Sequence, residues 1–156
     1  MTTSDPTTRT GLVETETRVE APPDVVYRYL TEPNLVERWN CATAEVAARP
    51  GGIYRLTMGP GIIACGEFVE ASPPGRVAFT FGWETEEEHP IPTGSSLVEI
   101  DLVADGDATL VRLRHSGLPG DAVDDHRSGW EHYHGRLAIA ATGGDPGPDP
   151  NFHQDT

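Results

Sequence analysis

The stretch Leu97-Val98-Glu99-Ile100-Asp101-Leu102-Val103-Ala104-Asp105-Gly106-Asp107-Ala108-Thr109-Leu110-Val111-Arg112-Leu113-Arg114-His115 decides the architecture. Apolar and polar residues alternate on both sides of Asp105-Gly106. Period two around a turn dipeptide is the signature of a β-hairpin. With Asp105-Gly106 as a two-residue turn of the primed type, Ile100 faces Val111, Val98 faces Leu113, and Glu99 faces Arg112 on the opposite side. Apolar pairs on one face and a charge pair on the other describe a half-buried antiparallel ladder. The same register turns His115 to the face of Val111 and Leu113.

Outward from the hairpin, the pattern changes period. Over residues 121–142, Val123, His126 or Arg127, Trp130, His134, Leu137 and Ala141 recur at helical spacing, and Gly143-Gly144 stops the run. Gly129 lies inside this helix, where it costs about 1 kcal/mol against alanine, and suggests close packing. Upstream, residues 12–20 alternate as a strand, with Val13, Thr15, Thr17 and Val19 on one face. Ala21-Pro22-Pro23-Asp24 stops it, and prolines suit a helix's first turn. Short helices follow at about 23–30 and 33–38, then strands at 41–48, 52–58, 62–70 and 76–83. Gly66, mid-strand, marks a bulge or a close backbone approach. The fold class is therefore α+β: an antiparallel sheet of about six or seven strands whose apolar face only the terminal helix can cover. A curved sheet wrapped round a helix leaves a space between them.

The folded part spans residues 11–142 as one domain, as expected for a chain of 156 residues. Residues 1–10 and the Gly/Pro/Asp-rich segment 143–156 bury too little apolar surface to offset ordering, and are expected to be disordered. The 11 basic residues, all arginine, stand against 25 acidic ones, for a net charge of −14. Such a polyanion is repelled by nucleic-acid backbones and anionic membranes. The lack of lysine excludes Schiff-base chemistry and a phosphate-gripping P-loop. No 18-residue apolar run is present to span a membrane, and the first residues lack a secretion signal, so a cytoplasmic location with Cys41 and Cys65 reduced is expected.

Several stretches together resemble one family. They are Ala21-Pro22-Pro23-Asp24-Val25-Val26-Tyr27, Glu37-Arg38-Trp39, Gly51-Gly52-Ile53-Tyr54-Arg55, the run from Gly66 to Phe81, His115-Ser116-Gly117-Leu118-Pro119, and Gly129-Trp130-Glu131-His132-Tyr133. In this order they resemble the family named for the activator of Hsp90 ATPase, within the START-like (polyketide cyclase, Bet v 1-like) superfamily. The resemblance implies a helix-grip fold with a cavity between sheet and long helix. It implies little about activity, because superfamily members bind lipids, hormones and polyketides, cyclise polyketides, sequester reactive natural products, or bind Hsp90. Two departures stand out. The eukaryotic activator has a separate N-terminal domain for which this chain has no room. Family members often carry a second tryptophan after Trp39, where this chain has Asn40.

The candidate pocket wall comprises Trp39, Tyr54, Leu56, Phe68, Phe79, Phe81, Trp83, Val98, Ile100, Val111, Leu113, His115, His126, Trp130, His134 and Leu137. An apolar lining with a few convergent polar groups is what small-molecule sites share. The candidate catalytic groups are His115, His134 and Arg127, since a histidine on an inward face can move a proton in a cyclisation; the alternative for each histidine is a buried ring tied to the backbone. No metal site is expected. His132 and His134 diverge by about 200° round a helix, and His126 and His134 sit about 12 Å apart along it. No cofactor motif is present. The acidic run Glu84 to Glu88 reads as a solvated loop, or as a gate at the cavity mouth. The leading reading is a cytosolic domain binding a small apolar or aromatic ligand, with no nucleic-acid partner, as monomer or homodimer. The alternatives are a polyketide-type cyclase, dehydratase or hydrolase and, third, a chaperone activator.

Overall fold

A computed structural model describes residues 10–41, 43–84 and 91–147. In chain order the elements are β1 (Thr10–Val19), α1 (Pro23–Thr31), α2 (Pro33–Val36), β2 (Thr43–Val46), β3 (Ile53–Gly59), β4 (Ile62–Ser72), β5 (Arg76–Phe81), β6 (Trp83–Glu84), β7 (Ser96–Asp105), β8 (Ala108–Pro119), a single 3-10 turn (Gly120–Ala122) and α3 (Val123–Ala141). The strands make one antiparallel sheet in the order β1-β8-β7-β5-β4-β3-β2, with the short β6 also paired to β4. The α+β architecture read from the sequence is the observed one. Of the segments 1–10 and 143–156 expected to be disordered, residues 1–9 and 148–156 lie outside the described residues, as do Glu86 to Glu88 of the acidic run; Thr10 pairs with Pro119 in the sheet, and Arg136 donates to the Pro146 and Gly147 carbonyls.

Pro22 caps α1 and Pro23 occupies its first turn, where a missing N–H costs nothing. Val26, Tyr27 and Leu30 are its buried face. Period two then sorts each strand. Val13 and Val19 of β1, Tyr54, Leu56 and Met58 of β3, Val77, Phe79 and Phe81 of β5, and Val98, Ile100 and Leu102 of β7 all face inward. Trp130, Tyr133, His134, Leu137, Ala140 and Ala141 of α3 pack onto them. Gly66 marks the bend in β4: residues Phe68–Ser72 pair with β5, whereas Ile63 and Ala64 pair with β6. A side chain at 66 would stand 1.9 Å from the Thr80 carbonyl oxygen, so only glycine allows the approach. The bend curls the sheet around α3.

The β7–β8 register differs from the expected one. Ile100 pairs with Leu113, Val98 with His115, Glu99 with Arg114 and Asp101 with Arg112. The two-residue loop is Gly106-Asp107, between Asp105 and Ala108. Gly106 has φ of 65°, and no described non-glycine residue has positive φ. Placing Asp105-Gly106 in the loop as a type I′ turn would have forced Asp105 to positive φ. Glycine first is instead the II′ pattern. The shift moves partners by two residues and so preserves faces: His115 still points inward, opposite Val98 and Val13.

The solvent side of the sheet carries charge. Arg76 bonds Glu70 at 2.9 Å, Glu99 at 2.7 Å and Asp101 at 3.1 Å. Its guanidinium holds the Glu70 carboxyl below the usual carboxylate range, with help from the Ser72 hydroxyl. Arg112 pairs with Glu16, Arg114 with Glu14, and Arg18 with Asp105. One cation serving three carboxylates is worth more than an isolated surface pair. Replacing Arg76 by methionine leaves three acids facing each other and is expected to cost about 1–2 kcal/mol in urea unfolding, diminishing as salt is raised. No described helix is long and apolar enough to cross a membrane.

Candidate functional site

The first half of α3 stands away from the sheet and leaves a cavity of about 240 Å³. Tyr54, Leu56 and Met58 line it from β3, Ala64 from β4, and Phe81 and Trp83 from β5 and β6. Alternation puts the first three on one face. His126, Gly129, Trp130 and Tyr133 line it from α3, at the i, i+3, i+4, i+7 spacing of one helical face, with Asp125 beside them. Asn40, just past α2, completes the wall. Trp83, Asp125, His126 and Gly129 are all partly exposed, so the cavity opens between β6 and the start of α3.

Gly129 corrects an expectation. A methyl group there would meet nothing within 4 Å. The glycine does not mark tight packing; it leaves one wall of the cavity bare.

The sequence's candidate histidines fall into three environments. The Trp130 indole N–H donates to His115 Nδ1 at 3.0 Å. An indole can only donate, so Nδ1 is the acceptor and the His115 proton sits on Nε2. That proton meets Ser96 Oγ at 2.8 Å, and the Ser96 hydroxyl donates to the Phe81 carbonyl at 2.7 Å. Burial, reinforced by the neighbouring His126, pushes the His115 pKa down to about 3. Both ring nitrogens are engaged, and the ring is held neutral. A second indole–imidazole pair lies beside it: Trp83 N–H donates to His126 Nε2 at 3.3 Å, and His126 Nδ1–H donates to the Ala122 carbonyl at 2.9 Å. The His115 and His126 rings are 5.6 Å apart, edge to face. His134 differs from both. It is fully buried between the rings of Trp39 at 6.0 Å and Trp130 at 5.4 Å. Neither of its nitrogens has a partner, and burial pushes its pKa down to about 4.

The remaining candidates divide plainly. Tyr54, Leu56, Phe81, Trp83, His126 and Trp130 border the cavity. Trp39, Phe79 and Ile100 border a hollow of only about 10 Å³ behind it, together with Asn40, Tyr54 and Trp130. Trp39 is also a strut: its indole donates to the Tyr29 carbonyl, and its own carbonyl accepts from Arg136. Phe68, Val98, Val111, Leu113 and Leu137 are core, not lining. Arg127 pairs with Asp124 on the exposed side of α3 and is not brought to the histidines. Asn40, Met58, Ala64, Asp125, Gly129 and Tyr133 are lining residues absent from the sequence-derived set. Asp125, Gly129 and Tyr133 share the stripe of His126, and the alternation of β3 already includes Met58. Cys41 and Cys65 are free thiols, and burial pushes the Cys41 thiol up to about 12. Among the described residues, no three His, Cys, Asp or Glu side chains group as a metal ion needs.

The profile of the family described as "Activator of Hsp90 ATPase homolog 1-like protein" matches residues 20–142. No curated protein matches the chain. Among solved structures, an AHSA1-like protein of Rhizobium etli is 42% identical, with 94% of this chain and 91% of that one covered and a TM-score of 0.71. DynU16, a protein from the dynemicin biosynthetic locus, is 26% identical with a TM-score of 0.74; the match covers 86% of this chain and 48% of DynU16. This chain therefore spans about half of DynU16. An Hsp90 activator from Plasmodium falciparum is 20% identical, over 84% of this chain and 96% of that one, with a TM-score of 0.69; that likeness is one of fold. The helix-gripping sheet, the motifs carried on it and the match over residues 20–142 place the chain in the activator of Hsp90 ATPase homolog 1-like family.

Proposed function

We propose that this domain is a binding module that holds a small, largely apolar, ring-containing molecule between the sheet and α3. The observation that carries the reading is the cavity of about 240 Å³, walled by Tyr54, Phe81, Trp83, Trp130 and Tyr133 and open at one side. An apolar cavity of about 150 Å³ already accepts benzene, so a one- or two-ring molecule is the right size. A catalytic role would need a histidine with a nitrogen available to substrate. His115 and His126 have theirs engaged with indoles, Ser96 and backbone, and His134, whose nitrogens are unpartnered, is fully buried and is not among the described residues that line the cavity, which favours binding over acid–base chemistry. The relation to a protein of a biosynthetic locus supports small-molecule handling over chaperone activation.

The test is a thermal-shift screen of one- and two-ring aromatics against the wild type and two variants at position 129. Gly129→Ala should bind as the wild type and be more stable by up to about 1 kcal/mol, the helix propensity difference. Gly129→Phe should keep the fold, because the ring has open space to enter, and should lose every ligand-induced shift. No shift with any compound, or shifts that Gly129→Phe retains, would refute the reading.

A further inference from the structure

Asn40 is a polar side chain in an unusual place. It is 7% exposed, it follows α2 directly, and its backbone N–H is tied to the Val36 carbonyl at 3.0 Å. It borders both the cavity and the small hollow behind it. Among the described residues none hydrogen-bonds its carboxamide. Buried side-chain amides are almost always satisfied, and this one carries two N–H donors and a carbonyl acceptor. Both indole N–H groups of the wall are committed to histidines. Solvent can serve the amide while the cavity is open. A hydrocarbon filling the cavity would strand it, at the cost of a desolvated polar group.

We infer that Asn40 is the polar anchor of the cavity and selects a neutral hydroxyl-bearing aromatic, of the phenol or naphthol class, over hydrocarbons and over ions. The inference rests on the binding role proposed above. A hydroxyl both donates and accepts, so one group satisfies the amide carbonyl and an amide N–H together. Charge decides against an anion. The chain has no lysine, and among the described residues no arginine borders the cavity and the one charged residue on its wall is Asp125. A carboxylate would lose its hydration with nothing to replace it. A buried cation fares little better, because Asp125 is exposed at the opening and not inside.

The experiment measures dissociation constants by calorimetry at pH 7.5 for four probes of one shape: 2-naphthol, naphthalene, 2-naphthoate and 2-naphthylmethylammonium. The wild type should bind 2-naphthol at least about tenfold more tightly than each of the others. Asn40→Leu, close in volume, should abolish that preference while keeping naphthalene within about threefold, which also reports an intact cavity. Asn40→Ala serves in the same role if the leucine variant does not fold. Equal binding of naphthol and naphthalene by the wild type, a preference that survives in the variant, or tighter binding of either ion overturns the assignment of Asn40 and leaves the cavity's binding role standing. If none of the four probes binds, the binding role falls and the anchor falls with it.

Discussion

Between pH 6.5 and pH 4 the protein is expected to lose roughly 6 kcal/mol of folding stability to two histidines alone. His115 and His134 are held neutral in the fold, with pKa values pushed down to about 3 and about 4 by burial. In the unfolded chain both titrate near 6.5. Above pH 6.5 neither state carries the extra protons and no penalty applies. Below it the unfolded chain takes up two protons that the folded chain refuses, so stability falls as pH falls, by about 1.4 kcal/mol per unit for each group. The decline slows for His134 near pH 4 and for His115 near pH 3, where the folded state begins to protonate. Set against a typical total of about 5–15 kcal/mol, this is enough to unfold the domain in mild acid. Urea titrations at half-unit pH steps measure it. A stability flat between pH 7 and pH 5 would show that the rings are not buried neutral.

Substituting the same two histidines by leucine should move stability in opposite directions. His115→Leu leaves the Trp130 indole N–H buried without an acceptor and removes the link to Ser96. The expected cost is about 2–4 kcal/mol at pH 7.5. His134→Leu removes two nitrogens that bond nothing and puts a side chain of similar size between Trp39 and Trp130. The expected gain is about 1–3 kcal/mol, and the acid slope should fall by half because one of the two groups is gone. Denaturation midpoints of both variants at pH 7.5 and pH 5.5 decide it. Destabilisation by His134→Leu at both pH values would mean that the buried imidazole has a bonding role.

Much of this arrangement follows from parity in the sequence. Whether the β7–β8 turn uses Asp105-Gly106 or Gly106-Asp107, partners slip by two and every side chain keeps its face, so the inward direction of His115 could be read without the right register. The register itself depended on which residue takes positive φ, and the Asp-Gly preference pointed one position too early. Periodicity also names a face without saying whether that face touches anything. Leu137 and Gly129 both lie on the inward side of α3, yet Leu137 is wholly buried and Gly129 borders open space. The distance between helix and sheet is a tertiary quantity, set by the bend at Gly66 and by where the chain enters α3. For that reason Asn40 registered in the sequence only as a departure from the family's tryptophan.

The two indole–imidazole pairs also make the molecule its own optical instrument. The chain has three tryptophans. Trp83 and Trp130 form part of the cavity wall, and Trp39 borders the hollow behind it. Tryptophan emission therefore comes wholly from chromophores around one site, and two of them donate hydrogen bonds directly to imidazoles whose protonation would quench them. Occupancy, acid uptake and loss of packing should each leave a distinct mark on a single ultraviolet spectrum, with no label attached.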